Sequence, residues 1–123
     1  MITATRIHLT LAMLMGLAGV MLLAAGTHTG SPDTVQIAGQ MLLFHASATI
    51  AACTARRADL LADWPARLAI SLLILGAALF AADLAVRGFR GERLFIGAAP
   101  AGGFMMLAGW LGLALSALFA RRP

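Results

Sequence analysis

Two side chains that can hold or exchange a proton, His45 and Asp83, lie inside stretches that are otherwise apolar. An imidazole titrates near neutral pH and can relay protons or bind a metal. A carboxylate in a bilayer binds cations or pairs with arginine, and either group costs free energy there unless protein or water encloses it. His45, Thr49 and Cys53 are spaced by four and share one helical face. Arg87 follows Asp83 by four residues, a favourable order for an ion pair. His28 lies just past the first apolar stretch. With both termini cytoplasmic, His28, His45 and Asp83 fall in the outer half of a bundle. His45 and Asp83 differ in depth by about 7 Å at the helical rise per residue. A His–Asp–His cluster with Arg87 beside it is therefore the candidate polar site. The simpler alternatives are an Asp83–Arg87 pair snorkelling to the interface and an imidazole bonded to nearby backbone or a threonine hydroxyl. His28 and His8 also read as ordinary polar residues near helix ends.

Other chemistries find less support. Cys53 is the only cysteine, so an intrachain disulfide and multi-thiolate zinc or iron–sulfur sites are excluded. Haem between two histidines needs similar depth, which His45 and His28 lack, and His8 belongs to the opposite side. No phosphate-loop motif occurs, and no nucleophile stands beside a base. The expectation is no enzyme, no cofactor and no metal centre. Trp110 falls mid-span, where its indole N–H needs a partner; His45 or a backbone carbonyl would serve.

The elements that must position these groups are four apolar runs: Ile7 to Gly26, Gln36 to Ala55, Ala66 to Val86 and Pro100 to Ala120. Each is about the 20 residues that carry an α-helix across a hydrocarbon core. The 123 residues are 61% hydrophobic and 11% charged, with mean hydropathy +0.91, outside the range of soluble domains. The expected fold is all-α: a single membrane domain of four transmembrane helices at about 7–26, 36–55, 66–87 and 96–120, packed as a compact antiparallel bundle. The first run follows Arg6 and ends in small residues, as a signal peptide does, but it is longer than the usual apolar core of one. It reads as a membrane helix.

All nine basic residues are arginines, and they sit at span ends against five acids. That placement suits headgroups; without a basic patch interleaved with aromatics, nucleic-acid binding is not expected. Arg6, Arg56, Arg57, Arg67, Arg121 and Arg122 share one side, and Arg87, Arg90 and Arg93 the other. The bias puts both termini in the cytoplasm. Alanine, glycine and arginine richness with no lysine points to a GC-rich bacterial genome.

The connections are short. Thr27 to Val35 is rich in turn formers; Asp63 suits a cap before Pro65; and the last helix starts or kinks at Pro100 after Leu94 to Ala99 runs along the interface. Lipid removes the hydrophobic drive between spans, so small residues must let helices approach. Ala12, Gly16, Gly19 and Gly26 make such a face on the first helix. Gly76 stands with Ala69, Phe80 and Asp83 on the third; Gly102, Gly109, Gly112 and Ser116 line the fourth. The second span carries the most polar residues and should be the most enclosed by protein.

Leu75-Gly76-x-x-Leu79-Phe80-x-x-x-Leu84, followed by Pro100-x-Gly102-Gly103 and Gly109-Trp110, resembles the YgdD/YwdK-like family of small four-helix bacterial membrane proteins of unknown function. Leu23-x-x-Gly26-x-His28 and Phe44-His45-Ala46 are similar to its first- and second-helix motifs. Met41-Leu42 and Ala81-Ala82-Asp83 depart from it, which makes Asp83 peculiar to this protein. The resemblance implies a four-span inner-membrane protein and brings no reaction, cofactor or substrate. The expected function is a structural or accessory component in the lipid bilayer, packing with itself or a larger membrane complex. The alternative is a small transporter or channel for protons, metal ions or a polar solute using His45 and Asp83.

Overall fold

Hydrogen-bonding its own backbone is what an apolar stretch must do in lipid, and four helices result. A computed structural model describes residues 2–121. The helices are α1 (Ile2–Gly26), α2 (Pro32–Arg57), α3 (Asp63–Arg90) and α4 (Ala98–Leu118). Each is long and apolar enough to cross a membrane. Arg122, counted in the charge argument, lies outside the described residues.

The first three helices run beyond the hydrophobic windows. α1 begins at Ile2, α2 at Pro32 and α3 at Asp63, because a helix persists through polar residues until its backbone finds another partner. At 28 residues, α3 spans about 42 Å, more than a hydrocarbon core. Its N-cap is Ala62, and Asp63 is the first helical residue, so Asp63 does not cap. Its carboxylate is committed to Arg56. α3 ends on Gly91, whose left-handed φ of 70° lets its N–H reach the Arg87 carbonyl at 2.8 Å. α4 starts at Ala98, with Pro100 in its first turn, where a missing N–H costs nothing.

Successive helices pack as antiparallel neighbours, and α3 sits centrally, against α4 on one side and α2 on another. α1 lies along α2 and touches α3 lightly. About 44% of the span is buried in both α2 and α3, against 22% in α1 and α4. The polar second helix is thus as enclosed as the strongly apolar third.

Glycines set the closest approaches. A Cβ on Gly76 would stand 2.8 Å from the Gly102 carbonyl oxygen, and one on Gly102 would stand 2.7 Å from that of Gly76. α3 and α4 therefore meet backbone to backbone. Gly109 is covered by Leu73 and Ala69, and Gly19 meets Gly39 of α2. Gly16 has only an ordinary 3.9 Å contact to Ala46, and Gly103 faces open space.

Candidate functional site

His45 is held at mid-helix by both ring nitrogens. Nδ1 lies 2.8 Å from the Met41 carbonyl oxygen, which can only accept, so Nδ1 carries the hydrogen. Nε2 then accepts from the Trp110 indole N–H at 3.1 Å. The rings meet edge to face at a centroid distance of 5.8 Å. Both ring nitrogens are thus engaged, one as donor and one as acceptor. The His45–Trp110 pair ties α2 to α4, and it forms because α4 crosses α3 closely enough to bring Trp110 over His45. A groove of about 520 Å³ opens beside it, walled by Phe80, Pro100, Gly103 and Phe104.

Asp83 is fully buried, and each carboxylate oxygen is occupied. Oδ2 accepts from Arg87 Nη2 at 2.7 Å, and Oδ1 accepts from the Leu94 backbone N–H at 2.7 Å. Arg87 is the i+4 partner, about one-third exposed. The second contact was invisible to spacing: it pins the α3–α4 connection onto α3. His28 sits exposed in the first loop, its backbone N–H on the Ala25 carbonyl. The structure therefore joins Asp83 with Arg87 and His45 with Trp110. His28 has its own local contact, and no three His, Cys, Asp or Glu residues gather as metal ligands among the described residues. Thr49 and Cys53 are buried on the His45 face, and the Thr49 hydroxyl has no partner.

At the other end of the bundle lie three contacts that sequence reasoning passed over. Arg56, 5% exposed, donates to Asp63 Oδ1 at 2.6 Å and to Thr5 Oγ1 at 2.5 Å, joining three helices. The Arg56–Asp63 half was hinted at by opposite charges flanking a tight connection; Thr5, 51 residues away, had no such signal. His8 is buried, with Nε2 3.0 Å from Ser71 Oγ. Since Ser71 Oγ donates to the Arg67 carbonyl, His8 must be the donor of that pair.

Four long apolar helices fastened by a few buried polar contacts define a multi-pass membrane protein. Residues 22–103 match the family model described as protein of unknown function (DUF423), and the chain belongs to that family. The match takes in His45 and Asp83 and ends before Trp110. No curated protein and no solved structure matches the chain.

Proposed function

We propose that this is a structural or accessory component of a bacterial inner membrane, without catalytic activity of its own, that packs with itself or with a larger membrane complex. The observation that carries the reading is the use made of the buried polar groups. His45 spends both nitrogens on Met41 and Trp110, Asp83 both oxygens on Arg87 and Leu94, and Arg56 its guanidinium on Thr5 and Asp63. Groups that relay ions keep an exchangeable position; these fasten one segment to another. Apolar side chains such as Leu42, Ile74 and Met106 fill the core between helices. Both termini are placed in the cytoplasm on the arginine bias. The Pro100 to Trp110 element supports kinship with the YgdD/YwdK-like proteins within the wider family.

The outer face of α4, with Phe104, Leu107, Leu111 and Leu118 exposed, is the surface offered to a partner. Extraction in a gentle detergent, followed by mass measurement of the particle, tests this. A stoichiometric homo-oligomer or partner is expected; a lone monomer at native abundance defeats the proposal. In liposomes, His45→Ala and Asp83→Asn should leave proton and divalent-metal flux at the level of empty vesicles and of wild type. A wild-type flux abolished by either variant would establish the transport alternative instead.

A further inference from the structure

The geometry points to an anionic phospholipid bound along the seam between α1 and α3, with its phosphate at the arginine-rich end and an acyl chain in the groove beyond. Two hollows follow one another on this seam. The first, about 280 Å³, is lined by Ala4 and His8 of α1 and by Arg67, Leu68 and Ser71 of α3. The second, about 470 Å³, starts one turn farther in and runs from Leu11 to Leu22 on α1, opposite Ile74 to Ala85 on α3. Its floor is Leu42 of α2. From Leu11 to Leu22 the helical rise gives about 17 Å, close to the roughly 15 Å depth of one leaflet's hydrocarbon. The groove exists because Ala78 and Ala82 of α3 have no side chain long enough to meet α1.

Charge selects the headgroup. Asp63 is held by Arg56 at 2.6 Å and reaches Arg67 only at 3.9 Å, which leaves the Arg67 guanidinium, 41% exposed, with donors to spare. His8, buried in the hollow's wall, gives its Nε2–H to Ser71, so the donors for an anion come from Arg67. Exposed Arg6, Arg57 and Arg121 add positive potential at the same end. A phosphate monoester or diester fits that field. The leucine- and methionine-lined groove behind it requires that the phosphate bring an apolar chain, which commits the site to a lipid. This holds whether or not the protein works as an accessory component.

The test is native mass spectrometry of the full chain in phosphatidylcholine micelles titrated with phosphatidylglycerol. One phosphatidylglycerol should be retained in preference to phosphatidylcholine. Arg67→Gln should cut that preference about fivefold, as the loss of one basic residue at a membrane surface predicts. Arg90→Gln, an exposed arginine at the other end, should leave it intact. Ala78→Leu/Ala82→Leu, at two exposed positions, should expel bound lipid of either headgroup while helical content is preserved. Inorganic phosphate should not compete. Preference surviving Arg67→Gln, lipid retained by the filled groove, displacement by phosphate alone, or cross-links placing a second copy in the seam would each overturn the assignment.

Discussion

The two faces of α3 carry similar small residues yet make opposite kinds of contact. Toward α4, Gly76 meets Gly102 and the backbones touch. Toward α1, Ala78 and Ala82 face Leu11, Leu14 and Met21 across an open groove. A small residue permits close approach only where the facing helix is small at the same level; against long side chains it leaves a hollow. Polar contacts follow the same division. The tight side is reinforced by the Leu94 N–H on Asp83, and Trp110 carries α4 on to His45 of α2, whereas along the α1–α3 seam the His8–Ser71 bond lies near one end.

The sharpest way to break this contrast is Gly102→Leu. The new side chain would collide with the Gly76 carbonyl and the backbone of Phe80, so α4 must lift from α3. A loss on the order of 3 kcal/mol is expected, read by reversible unfolding in mixed micelles. Asp83→Ala comes next. It strands the Leu94 N–H and frees Arg87, and about 2 kcal/mol should disappear, with faster amide exchange at Leu94 as the local signature. Wild-type exchange there would refute the pinning role.

Smaller again is the His45–Trp110 bond. In a double-mutant cycle with His45→Phe and Trp110→Phe, a coupling of about 0.6 kcal/mol is expected, typical for membrane helices. Zero coupling would mean the two rings are packed but not bonded. Least of all, Gly103→Ala points into open space and should shift stability by no more than about 0.5 kcal/mol. A penalty as large as that of Gly102→Leu would show that the face of α4 has been assigned wrongly.

Much of this architecture was legible in residue order. Hydropathy alone picks out four spans, because the requirement for an apolar run of membrane length is local. The Asp83–Arg87 pair was legible too, since i,i+4 spacing fixes it within one helix. The helix limits were less so: α1 reaches back to Ile2 through Thr3, Thr5 and Arg6, residues a hydropathy window discounts but a helix accepts. Within the candidate site, depth arithmetic brought His45 and Asp83 to similar levels but said nothing of which way each side chain turned. One turns to Trp110 and the other to Leu94.

Sequence by itself determined the class of protein, the number and order of its helices, and some of the glycines at close approaches, Gly19, Gly76, Gly102 and Gly109, though not that Gly16 and Gly103 stand off. These follow from composition and periodicity along a single chain. Tertiary structure decided the partners separated by many residues: Arg56 with Thr5, His8 with Ser71, Trp110 with His45, and the open seam beside α1. Those depend on how each helix is rotated and how closely it approaches its neighbour. In lipid, the fit of facing side chains sets both, and no single helix encodes it.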